Sequence, residues 1–138
     1  FAFDPEGDSI ELPHNHTNNV VAYTGTHDNH TIKGWYEEEM GPEARDFLDL
    51  YSNRKPDESV NQAMLRLLFS SVAFMAIVTM QDLLDLGDEA RMNLPNTVGG
   101  NWIWRMTKDQ LTPQVVETLL DLTTTYRRTN KKLVEKKH

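Results

Sequence analysis

The sequence predicts a parallel α/β architecture assembled from two successive strand-helix units. Two runs of strand composition, Asn19 to Thr24 and Ala76 to Met80, are each followed by glycine or polar residues. Segments of helical periodicity separate them, and a long irregular stretch and one more helix follow the second. Strand, helices, strand, loop, helix is the order of consecutive βα units, and the isolated chain is expected to be mostly helical.

Taken in order, Phe1-Ala2-Phe3 reads as the tail of a buried strand, so residues 1–138 are expected to be a single fragment that begins inside an element. Residues 4 to 18 hold Asp4-Pro5, Gly7, Pro13 and clustered Asn and His, which is loop chemistry. Asn19 to Thr24 is rich in β-branched and aromatic residues and stops at Gly25. A short buried strand there delivers Thr26-His27-Asp28-Asn29 at its C-terminal end. Thr31 to Met40 is helical, and Gly41-Pro42 ends that helix and starts the next, over 42 to 52.

Asn53 to Pro56 is a turn. Val60, Met64, Leu67, Leu68, Ser71 and Val72 then recur at spacings of three and four, marking one face of a largely buried helix. Ala76 to Met80 is the second strand and presents Gln81-Asp82 at its edge. Gly87 to Gly100 is a long loop of the kind that more often carries function than merely connects. Thr112 caps the last helix, Pro113 occupies its first turn, and Val115, Val116, Leu119, Leu120, Thr123 and Tyr126 form its apolar stripe. Residues 130 to 138 are expected to be a disordered, lysine-rich tail.

Composition narrows the function. With 14 basic and 21 acidic residues the net charge is -7, which argues against a nucleic-acid or anionic-membrane partner and suits a neutral or small substrate. There is no cysteine, so no disulfide, thiolate metal site or cysteine nucleophile is available, and a reducing cytoplasmic location is expected. The longest charge-free apolar run, Leu67 to Met80, is 14 residues and is too short for a bilayer-spanning helix.

Three groups of residues could carry chemistry. Asp28 lies just past a strand, where α/β folds place ligand-binding groups, although an aspartate there can also cap the helix beginning near Thr31. His14, His16, His27, Asp28 and His30 could gather as a metal site, with permissive rather than specific spacing. Trp35, Tyr36, Trp102 and Trp104 could stack on sugar rings or simply pack the core.

One ordered pair of motifs resembles a known family. Tyr23-Thr24-Gly25-Thr26-His27-Asp28-Asn29 with Thr31 and Gly34-Trp35 is followed by Gln81-Asp82-Leu83-Leu84, Leu86-Gly87, Arg91-Met92-Asn93, Pro95, Gly100-Asn101-Trp102 and Trp104-Arg105. Together they resemble the 4-α-glucanotransferases of the amylomaltase and disproportionating-enzyme type, in the α-amylase clan. The likeness covers roughly residues 1 to 129. It implies the C-terminal part of a (β/α)8 barrel, with the two strands as barrel strands 7 and 8. The family pattern usually has Asp where this chain has His30, and Gly where it has Asn96.

The resemblance further implies transfer of α-1,4-glucan segments between maltooligosaccharides with retention, without a cofactor or metal. By motif match Asp28 is the acid that stabilises the transition state. His27 and Asn93 are implied to bind substrate. The nucleophile and the acid/base are implied to sit on earlier strands, so the fragment alone is expected to be inactive and to self-associate through its open strands. A non-catalytic carbohydrate-binding module and a metal-dependent hydrolase using His14, His16, His27 and Asp28 are the competing readings.

Overall fold

The computed structural model describes residues 2–3 and 9–129, so the expected tail at 130–138 lies outside the described residues. Two short strands, β1 (Val21–Tyr23) and β2 (Met75–Ile77), pair in parallel with Val21 opposite Met75, Ala22 opposite Ala76 and Tyr23 opposite Ile77. Three helices make the crossover between them: α1 (Ile32–Gly34), α2 (Pro42–Ser52) and α3 (Val60–Ser70). After β2 come a short α4 (Met80–Leu83), a long irregular loop and α5 (Pro113–Thr125). The expected parallel strand-helix order is therefore present, whereas two strands do not themselves close a barrel.

Local chemistry explains most boundaries. Ser59 and Gln62 form a reciprocal capping box at the start of α3, and the Thr112 hydroxyl accepts the Val115 amide at the start of α5. Asn53 closes α2 in the left-handed conformation with φ 50°, a role that asparagine tolerates better than most residues. Two expectations shift. The second strand runs from Met75 to Ile77, because Thr79 caps α4 by accepting the Asp82 amide and draws Met80 into a helix. Thr31 to Met40 is α-helical only over Ile32–Gly34, and Trp35–Glu39 widens into a π-helix that the Met40 amide closes onto the Trp35 carbonyl at 3.0 Å.

Helix α3 sits between two apolar clusters. Phe3, Leu12, Ile32, Met40, Leu48 and Val60 form one, with Trp35, Phe47 and Tyr51 around Phe3. Phe3 is thus buried as expected, although Ala2 and Phe3 are irregular rather than extended in a strand. Ala22, Leu68, Phe69 and Ala73 form the second cluster, against which Leu119, Leu122 and Tyr126 of the α5 region pack. Leu122 takes the place expected for Leu120 and Val116, which both face solvent.

Polar pairs fasten the outer helices. Arg54 grips Asp49 with two nitrogens, at 2.7 and 2.8 Å, and donates to the Tyr36 hydroxyl at 2.8 Å. The hydrogen bond from Arg54 holds the Asp49 carboxyl below its ordinary range against the opposing effect of burial, whereas burial pushes Tyr36 up. No helix among the described residues is long and apolar enough to cross a membrane.

Candidate active site

Beyond β1 the chain turns through Thr24 and a tight loop into α1. Asp82 organises that turn from behind. Its carboxylate, 2% exposed, accepts the Thr24 hydroxyl at 2.6 Å and the Ile32 amide at 2.8 Å, while its carbonyl accepts the Asn61 amide group at 3.0 Å. One buried acid from α4 therefore joins the end of β1 to the start of α1 and is itself fully hydrogen-bonded. Within the loop, the Asn29 side chain accepts the Thr26 amide at 2.7 Å and the Thr26 hydroxyl at 2.9 Å. Asn29 therefore shapes the turn.

Asp28 stands on that turn with 48% of its side chain exposed. It does not cap α1, because Thr31 does so by accepting the Gly34 amide at 3.1 Å. Instead Asn93 Nδ2 donates to Asp28 Oδ1 at 2.7 Å, and the Asn93 amide donates to the His27 carbonyl at 3.0 Å. Arg91 completes the join by donating through Nη2 to the Asp28 carbonyl at 2.8 Å and through Nε to the Asn93 carbonyl at 3.0 Å. The His27 Nε2 lies 3.4 Å from Asp28 Oδ1, and its ring sits 5.0 Å from the Trp102 ring centre. Trp102 holds φ 64° while its amide donates to the Met92 carbonyl at 2.7 Å.

The three residues singled out from the sequence, His27, Asp28 and Asn93, are thus neighbours although Asp28 and Asn93 are far apart in the chain. An accessible carboxylate beside an imidazole, an amide and a half-exposed indole can accept hydroxyl protons and offer an apolar ring face. A small cleft of about 130 Å³ lined by Thr26, His27, Gln81, Arg91 and Met92 adjoins it. The aromatic candidates separate: Trp35 packs on Phe3 and Tyr36 lies under Arg45 and Arg54, whereas Trp102 stays at the site.

The metal set of His14, His16, His27 and Asp28 is not gathered. His14 Nδ1 pairs with the Tyr51 hydroxyl at 2.8 Å, and His16 Nε2 with the Glu11 carbonyl at 3.0 Å. Among the described residues, the group of three ligand-type side chains whose donor atoms all lie within 4.8 Å of one another is His30, Glu38 and Asp88. Both Asp88 oxygens are already in use there, one on Thr31 and the other on His30. Asp82 and Asp88 carry more of the architecture than sequence reasoning assigned to them. A Cβ built on Gly34, a glycine inside a helical pattern, would lie 2.1 Å from Asp88 Oδ1, so the bare backbone there leaves room for the carboxylate.

Residues 1–112 match the protein-family description 4-alpha-glucanotransferase. This chain belongs to that family. Among its 4-alpha-glucanotransferase relatives, that of Streptococcus pneumoniae is 61% identical over 137 residues, covering 99% of this chain and 27% of the relative. The Clostridium butyricum 4-alpha-glucanotransferase is 41% identical over 93% of this chain and 26% of its own length. A solved structure, the amylomaltase from Streptococcus agalactiae in complex with acarbose, superposes with a TM-score of 0.89 at 46% identity, over 93% of this chain and 26% of that one. The chain thus spans about a quarter of the length of these 4-alpha-glucanotransferases. The described residues form a small, helix-rich piece with the fold of the matching part of that amylomaltase.

Proposed function

We propose that this chain is the C-terminal portion of a 4-α-glucanotransferase that moves α-1,4-glucan segments between maltooligosaccharides with retention, and that Asp28 stabilises its transition state. The observation that carries the reading is the Asn93 to Asp28 hydrogen bond at 2.7 Å, which joins the two motif-bearing loops at the C-terminal ends of neighbouring parallel strands. Ligand-binding groups of α/β barrels occupy that end. The bare face of the sheet supports placing β1 and β2 in a closed barrel, where the order of the family motifs makes them strands 7 and 8. Val21, Tyr23, Met75 and Ile77 all lie on it, about half exposed, where a closed barrel would fill its interior with side chains.

Retention requires two carboxylates close together, one as nucleophile and one as acid/base, and Asp28 is neither. It meets hydroxyls of the distorted sugar as positive charge grows on the ring, with Asn93 holding one of its oxygens in place. His27 reaches the same sugar, and the Trp102 ring beside it offers a stacking face. The nucleophile and the acid/base come from earlier strands, so the isolated segment transfers nothing and associates through its bare face. A cysteine-free composition suits the reducing cytoplasm in which we place the enzyme.

The test is Asp28→Asn in the complete polypeptide that carries this segment, assayed by disproportionation of maltotriose. The turnover number is expected to fall about 10²-fold or more, with the fold intact by circular dichroism. Turnover close to that of the unaltered enzyme would overturn the assignment.

A further inference from the structure

We propose that His30, Asp88 and Arg91 form a clamp that positions Asp28, which makes His30 and Asp88 positioning residues for glucan transfer. The inference rests on the reading of Asp28 given above. His30, two residues beyond Asp28, hydrogen-bonds through Nδ1 to Asp88 Oδ2, and its Nε2 lies 3.3 Å from Glu39 Oε2. Asp88 Oδ1 accepts the Thr31 amide at 3.0 Å, and Oδ2 also faces Arg91 Nη1 at 3.8 Å. The same guanidinium donates to the Asp28 and Asn93 carbonyls. A polar path therefore runs from imidazole to carboxylate by a hydrogen bond and from carboxylate to guanidinium by an ion pair at 3.8 Å, and it ends on the backbone carbonyls of Asp28 and its Asn93 partner.

Two features mark this path as a built seat. Asp88 and Arg91 keep only 18% and 13% of their side chains exposed, so the pair is largely shielded from water, where such contacts are strongest. Space is reserved for it as well, because any side chain on Gly34 would collide with the Asp88 carboxylate. The path ties the loop after β1 to the loop after α4, and those two loops hold Asp28 and Asn93 respectively. A displacement of about 1 Å at a reacting group can cost about 10²-fold in rate, so the clamp acts through geometry rather than by touching the sugar.

The experiment is steady-state disproportionation of maltotriose by the complete polypeptide with Asp88→Asn, His30→Asp, the double variant and Asp28→Asn. Asp88→Asn keeps the acceptor for Thr31 but removes the charge, and is expected to lower kcat about tenfold with KM changed less than about twofold. His30→Asp sets another carboxylate against Asp88 and Glu39 and is expected to cost more. Adding Asp88→Asn to it should restore part of the loss, because contacting residues couple. Should Asp88→Asn fail to fold, His30→Gln carries the test with the same split between kcat and KM. Unchanged kcat in the folded single variants, a change confined to KM, or simply multiplying losses in the double variant would overturn the clamp. If Asp28→Asn is inert while the clamp variants keep full kcat, only the clamp fails. If Asp28→Asn keeps full activity, the underlying reading fails instead.

Discussion

The two strands present opposite situations at their ends and on their faces. At the C-terminal ends Thr24, Asp82, His30, Asp88, Arg91, Asp28 and Asn93 are paired with one another or with backbone groups. On the other face Val21, Tyr23, Met75 and Ile77 meet no apolar layer among the described residues, and a groove of about 550 Å³ lined by Phe74, Met75, Val78, Leu119 and Tyr126 opens beside them. Polar satisfaction is a matter of a few partners at about 3 Å, and this stretch of chain supplies them. Apolar burial grows with the amount of surface available to cover it, and a quarter of a family member's length supplies too little.

The contrast breaks most readily at Asp82. Asp82→Ala leaves the Ile32 amide and Thr24 hydroxyl without their buried acceptor, and is expected to cost about 3 kcal/mol of stability in urea unfolding. A loss below about 1 kcal/mol would show that the polar end is less tightly specified than its geometry suggests.

Asp49 sharpens the comparison with a polar pair outside the site. Its folded-state carboxyl is held below the unfolded value, chiefly by the hydrogen bond from Arg54. The pair's stabilisation is therefore present above the unfolded carboxyl range, near pH 4, and is lost as pH falls through the lower folded value. With 35% of the Asp49 side chain exposed, solvent screening keeps the effect below about 1 kcal/mol. Asp49→Asn should flatten that part of the acid limb of a stability–pH curve, and an unchanged limb would refute the assignment.

Ile77→Thr probes the apolar side with the smallest expected effect. The residue is half exposed, so stability should move by no more than about 0.5 kcal/mol, while self-association of the isolated segment weakens in light scattering. A compact monomer at high concentration before any substitution would count against an exposed adhesive face.

Legibility in the sequence followed the same divide between near and far. Helix α5 was readable because Thr112, Pro113 and the Val115 amide act within one turn. The parallel strand order was readable from composition, and the motifs marked His27, Asp28 and Asn93, which the fold brings side by side. Asn96 holds φ 63°, so the place where the family pattern usually has glycine does demand a left-handed backbone, which asparagine tolerates. Asp82 and Asp88 were not readable as organisers, since their partners Thr24, His30, Thr31 and Ile32 lie 50 to 58 residues away. The π-turn over Trp35–Glu39 escaped because its apolar spacing resembles that of an ordinary helix over so short a span.

The start of α1 carries a consequence in time. Its Thr31 and Ile32 amides are accepted by carboxylates from the second unit, and only three residues of regular helix follow. So short a helix cannot nucleate on its own, and its acceptors arrive only after a loop of more than fifty residues has closed. Helix α1 is therefore expected to form late in folding, once α4 and the loop behind it have docked, so amide-exchange labelling during refolding should protect Thr31 and Ile32 after the amides of α3.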